Sequence, residues 1–244
     1  MRVRFLGCGD AFGSGGRFHT CFHMSGGETT FLVDCGASSL IAMRRFGVDP
    51  NGLAAVFISH LHGDHFGGLP FLILDAQLVS RRTAPLTIAG PPGLPERLHA
   101  AMEALFPGSS TVARNFALDI RELQPDTSTT INGVAVTPRL VRHPCGAPPF
   151  ALRLECGGKV VAYSGDTEWT DALISAARDA DLFIAEAYFY DKKIKHHLDW
   201  QTLRSHLPAL RAKRVILTHL SADMLAHLGS VDCETAEDGK IVEL

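Results

Sequence analysis

No hydrophobic run in these 244 residues approaches the roughly 20 apolar positions that a membrane-spanning helix needs. A signal-peptide core is missing too, because the opening residues MRVRFLGCGD turn to glycine and charge before one can form. The chain is therefore expected to be cytoplasmic. C-x-x-C spacing is absent: Cys8, Cys21, Cys35, Cys145, Cys156 and Cys233 are scattered, which fits reduced, packed thiols better than a disulfide framework or a structural zinc knot. Cationic excess is lacking as well. With 23 basic against 26 acidic residues the net charge is −3, which argues against obligate nucleic-acid binding and leaves only a local basic patch open. No fixed-period repeat, low-complexity tract or linker divides the sequence, and 46% hydrophobic content is enough for one large core. Residues 1–244 are read as a single domain.

What is present is a series of short β-branched and aliphatic runs alternating with helical patterns. VRFL, TTFLVD, AAVFIS, PLTIAG, GVAVTPRLV, PFALRLE, KVVAYS, DLFIAEA and RVILT read as strands. SSLIAMRRF, PFLILDAQLVS, LPERLHAAMEALF, TEWTDALISAARD and DWQTLRSHLPAL carry apolar residues at three- and four-residue spacing, so each offers one face to a core. The mix predicts an α/β fold in which sheets are covered by helices.

The densest chemistry lies in Ser59-His60-Leu61-His62-Gly63-Asp64-His65-Phe66-Gly67-Gly68, directly after the run AAVFIS. Imidazole nitrogens and carboxylate oxygens are the groups zinc accepts, and a strand-end loop lets alternate side chains converge where a strand or helix would splay them. At this composition, H-x-H-x-D-H arises by chance in only about two chains per thousand. A metal-free cluster would also leave buried polar atoms poorly satisfied.

This segment resembles the signature of the metallo-β-lactamase superfamily, and further positions match in order across nearly the whole chain: His143 after a β-rich run, Asp166 in YSGDT and His219 in VILTH. The resemblance implies a four-layer αββα sandwich of two mixed β-sheets flanked by helices. It implies that His60, His62 and His143 hold one metal ion, that Asp64, His65 and His219 hold a second, and that Asp166 bridges them. Two divalent ions, zinc foremost with manganese or iron also suited to the ligands, would acidify a shared water, and the resulting metal-bound hydroxide would attack the substrate. Asp64 can both ligate and orient that water.

No cysteine ligand is evident beside Asp64 and Asp166, unlike most true metallo-β-lactamases. The elements LGCGDAFGSGGR, LTIAGPPG, AYSGDT and ILTHLS resemble ribonuclease Z and the cyclic-phosphate phosphodiesterases related to it. What that resemblance implies is a phosphodiesterase for a small or cyclic phosphodiester or an RNA end, with a lactone or thioester hydrolase, or a metal-binding protein without catalysis, as alternatives. It also implies a homodimer. His197, preferred over His196, matches a histidine that these relatives use near the scissile phosphate, and Glu186 on FIAEA is its candidate orienting partner. The bland alternatives are that Asp199 only caps the following helix while both histidines face solvent, and that Glu186 is exposed or meets Lys192 or Lys193.

The chain runs from His143 to Asp166 without room for the protruding arm of tRNA-processing ribonuclease Z, so tRNA processing is disfavoured. Arg17 and His19 are candidate substrate contacts, while the glycines of GCGDAFGSGG read first as a turn. Trp169 and Trp200 open predicted helices as packing anchors.

Overall fold

The computed structural model describes residues 1–244. One sheet contains β1 (Arg2–Gly7), β2 (Cys21–Gly26), β3 (Thr29–Val33), β4 (Ala55–Phe57), β5 (Leu86–Gly90) and β6 (Leu118–Glu122), and the last strand of the chain, β14 (Ile241–Glu243), joins it beside β1. The other contains β7 (Thr129–Ile131), β8 (Val134–Leu140), β9 (Phe150–Cys156), β10 (Lys159–Tyr163), β11 (Leu182–Glu186), β12 (Val215–Thr218) and β13 (Glu234–Thr235). Both sheets are mixed in the same way. β14-β1-β2-β3 and β7-β8-β9-β10 pair antiparallel, then β3-β4-β5-β6 and β10-β11-β12-β13 pair parallel.

Period-two alternation decides how the layers stack, because successive strand side chains point to opposite faces. On β3, Phe31 and Val33 enter the core between the sheets, whereas Leu32 packs on the outer side. That inter-sheet core draws Val3, Phe5, Phe22 and Phe57 from one sheet and Phe150, Leu152, Tyr163 and Ile184 from the other. The outer face of the first sheet is covered by α1 (Ser39–Arg45), α3 (Leu69–Leu78) and α4 (Leu94–Leu105), with the single turn α2 (Gly63–Phe66) between α1 and α3. The second is covered by α5 (Ala172–Ala177), α6 (Trp200–Leu210) and α7 (Ala222–Ala226). The result is the expected αββα sandwich. Strands buried on both faces read as unbroken apolar runs, as AVF in β4 and LFIA in β11 do.

Two expectations are corrected. TEWTDALISAARD is helical only over Ala172–Ala177, because Thr167 and Glu168 are drawn into hydrogen bonds around the cleft described below. Trp169 therefore precedes the helix and stacks on His206 of α6, with ring centroids 3.8 Å apart and planes at 7°. Trp200 does open α6, fully buried, with Asp199 as the helix cap accepting from the Thr202 amide at 2.8 Å. All six cysteines are free thiols.

Candidate metal centre

The parallel strands of both sheets end on the same edge of the sandwich, and the residues just past those ends supply the site. This is where open α/β sheets place ligands. Asp34 follows β3, His60 follows β4, Asp166 lies three residues past β10, Glu186 closes β11 and His219 follows β12. His62 caps the turn α2, which carries Asp64 and His65. Gly36 is required beneath that turn, since a Cβ there would lie 2.1 Å from the Asp64 carbonyl oxygen. Asp34 and His219 adopt left-handed backbone, φ 57° and 59°, which side chains other than glycine rarely take without support from their surroundings.

All seven candidate ligands converge. His60, His62 and His143 form one group, and Asp64, His65, Asp166 and His219 another, the ligand atoms within each group lying within 4.8 Å of one another. The two groups meet at Asp166. One of its carboxylate oxygens lies 3.8 Å from His60 Nε2, 4.0 Å from His143 Nε2 and 3.4 Å from His219 Nε2, while the other is 3.3 Å from His65 Nε2. Asp64 Oδ2 is 3.1 Å from His65 Nε2 and 3.2 Å from His219 Nε2.

The far side of several rings is tied down, which aims the near nitrogen inward. His65 Nδ1 donates to Asp34 at 2.7 Å, and His143 Nδ1 donates to the His196 carbonyl at 2.9 Å. Ser59 Oγ donates to Asp34 at 2.8 Å and sits 3.1 Å from His60 Nδ1. Such outer partners fix the tautomer of a metal-ligating histidine. His60 Nε2, His65 Nε2 and Asp166 Oδ1 are then left buried without a hydrogen-bond partner. Buried polar atoms are rarely orphaned, and a convergent set of nitrogen lone pairs and carboxylate oxygens is what a divalent cation satisfies. The residues present fit a metal ion.

His197 and Glu186 also reach the cleft. His197 Nδ1 meets Glu186 Oε1, and Glu186 Oε2 accepts the Thr167 amide at 2.8 Å. Glu186 is fully buried and meets neither Lys192 nor Lys193, so the surface reading of that carboxylate fails. Burial raises the Glu186 carboxyl above its ordinary range, with Asp166 adding to the rise and His197 opposing it. Burial alone would lower the His197 imidazole, but the hydrogen bond and charge of Glu186 raise it on balance. His196 contributes its backbone instead. Its φ of 72° turns the carbonyl towards His143 and leaves the ring half-buried, with Nδ1 4.0 Å from Glu168.

Sequence reasoning missed Asp34, Tyr188 and Phe12. Asp34 ends the apolar run TTFLVD, a weak signal that an acid closes a buried strand. Tyr188 packs against His197 and His219, at centroid distances of 4.8 and 5.7 Å. With Ala11 and Phe12 it lines a cavity of about 200 Å³ over His62, Asp64, His143, Asp166, His197 and His219. Arg17 and His19, expected as substrate contacts, do not line it. Arg17 instead donates to the Ala236 carbonyl at 2.9 Å, tying the first loop to the C-terminal segment.

Comparison with known proteins agrees with this geometry. A family model described as "Anti-Pycsar protein Apyc1" matches residues 1–237. A ribonuclease Z of Methanosarcina acetivorans is 28% identical, with 91% of this chain and 88% of that protein covered. The crystal structure of the short form of human tRNase Z superposes with a TM-score of 0.80 at 26% identity, covering 100% of this chain and 99% of that one. Zinc-bound PqqB from Methylobacterium extorquens shares the fold, with a TM-score of 0.78 at 15% identity and 100% of both chains covered.

Proposed function

The chain belongs to the Anti-Pycsar protein Apyc1 family, in the ribonuclease Z-like branch of the metallo-β-lactamase superfamily, and is a metal-dependent hydrolase; from that premise we propose that it is a dinuclear phosphodiesterase acting on small or cyclic phosphodiesters. The observation that carries this reading is the convergence of seven candidate ligands into two groups that meet at Asp166. His60, His62 and His143 would hold one ion, Asp64, His65 and His219 the other, and Asp166 both. Two such ions, zinc foremost and manganese or iron as alternatives, supply Lewis acidity at the phosphoryl group and a water acidified to near neutrality.

The chain's own groups do the rest. Asp64 would orient the attacking water as well as hold a metal. With Nδ1 held by Glu186, His197 presents Nε2 to the cleft, where it can protonate the departing alkoxide. Glu186 is a positioning residue that acts through His197. The small cavity favours a compact phosphodiester, with an RNA end as the alternative. β9 and β10 are joined directly through Gly157-Gly158, leaving no arm between His143 and Asp166 to grip a tRNA. A homodimer is proposed alongside, the shallow apolar surface lined by Leu40, Phe71, Leu74, Leu78, Val79 and Phe106 offering a face to a second copy.

The test is metal content by mass spectrometry on protein purified without added metal, with phosphodiesters and an acyl ester assayed on the same sample. About two metals per chain and cleavage of bis(p-nitrophenyl) phosphate or a 2′,3′-cyclic nucleotide are expected. Asp64→Ala and Asp166→Ala should each lose at least about a hundredfold in rate, and His197→Ala between about a hundred and ten thousandfold. Turnover of the acyl ester alone moves the substrate class, and normal rates in Asp166→Ala overturn the two-metal reading.

A further inference from the structure

Phe12 is the most solvent-exposed large apolar side chain in the molecule, at 84%, and it stands on the rim of the metal cleft. Single exposed apolar residues are common and usually need no explanation. Phe12 differs because the loop beneath it is built to hold it in place. The Asp10 carboxylate, 1% exposed, accepts the Phe12 amide at 3.3 Å, the Ser14 amide at 2.8 Å and the Ser14 hydroxyl at 2.7 Å. Gly13, Gly15 and Gly16 take left-handed backbone that closes the turn. The base of the loop is tied to the site itself, since the Cys8 carbonyl accepts the His219 amide at 3.0 Å.

The backbone that carries the ring is therefore fixed at the edge of the cleft, although solvent contact gains the ring nothing. The rest of the lining is histidine, aspartate, Ala11 and Tyr188, and the Tyr188 ring is already committed to His197 and His219. A substrate whose phosphate sits over the ligands has one free aromatic face within the cleft lining to rest on. Stacking on such a face is tolerant of base identity, because every nucleobase has a π-face.

Resting on the phosphodiesterase reading above, we propose that Phe12 is a stacking platform for the base of a nucleotide substrate, so that this residue selects nucleoside phosphodiesters over those lacking a planar ring. It acts by binding and not in the chemical step. Its loss raises KM for a nucleotide with little change in kcat, the pattern of an interaction made equally in ground and transition states.

The experiment compares wild type, Phe12→Ala and Phe12→Trp on adenosine 2′,3′-cyclic phosphate and glycerol 1,2-cyclic phosphate. In parallel, adenosine 3′-monophosphate and glycerol phosphate are titrated into the zinc-loaded proteins by calorimetry. Phe12→Ala should lower the ratio of kcat/KM for nucleotide over glycerol ester about tenfold, chiefly through KM, and Phe12→Trp should restore it. Adenosine monophosphate affinity should fall by a similar factor relative to glycerol phosphate. An unchanged ratio, or equal losses on both substrates, overturns the platform. If wild type cleaves neither ester, the phosphodiesterase reading fails by itself and calorimetry decides Phe12: equal nucleotide affinity in wild type and Phe12→Ala overturns it, and a selective loss supports it.

Discussion

Asp34 shows how much of the metal centre rests on residues that would touch no ion. Its carboxylate is fully buried and accepts the Ser59 amide at 2.7 Å, the Ser59 hydroxyl at 2.8 Å and His65 Nδ1 at 2.7 Å. In doing so it sets the position of the loop that carries His60 and the tautomer of His65. Removing such an outer partner typically costs about 10- to 100-fold in metal affinity. Asp34→Ala is therefore expected to retain the fold but to lose metal about 10- to 100-fold more readily in competition with a chelator. Unaltered affinity would show that packing alone orients His65. The candidate ligands were legible in the sequence because four of them share one short loop in a rare pattern. Asp34 was not, because an aspartate at a strand end looks the same whether it caps a turn or, as here, reaches a histidine 31 residues away.

Among the elements, long periodic segments were legible and short edge strands were not. β6, β7, β13 and β14 have largely exposed or half-exposed positions, so they lack the apolar run by which a strand is recognised. Besides its parallel pairing with β12, β13 is held in place by charge. Arg214, just before β12, donates to Glu234 through two nitrogens at 2.8 and 2.7 Å, and Lys240, just before β14, adds a third contact at 2.8 Å. One carboxylate thus ties the edges of both sheets together. The hydrogen bond from Arg214, with help from Lys240 and against partial burial, lowers the Glu234 pKa from 4.5 to about 2. A depressed folded-state pKa contributes stability above the unfolded value that is lost as pH falls from about 5 towards 2. After discounting for solvent screening, Glu234→Gln should cost about 1 kcal/mol at pH 7 and flatten that stretch of the profile, as measured by urea unfolding across pH. Parallel profiles for the two proteins would mean that the cluster contributes nothing.

At the scale of the molecule, the sheets share one core, in which Phe22 contacts Phe5 and Tyr163 edge-on at 5.1 Å each. Cores joined in this way unfold together, so the proposed single domain predicts one calorimetric transition. The proposed homodimer predicts that its midpoint rises with protein concentration. Two separated transitions would overturn the first proposal, and a midpoint independent of concentration the second.

The sequence by itself determined what is encoded locally: the strand and helix periods, the layered α/β class, the candidate ligand loop from His60 to His65, and the order of His143, Asp166 and His219 along the chain. These signals survive in one dimension because each needs only neighbours a few residues apart. Only the tertiary structure decided which groups meet. Asp64 lies beside His219 across 155 residues, Glu186 holds His197 instead of facing solvent, Arg17 serves the fold and not the cleft, and Phe12 stands at the rim. The physical reason is that such contacts depend on two twisted sheets closing on one core with their strand ends aligned, and no short stretch of sequence carries that alignment.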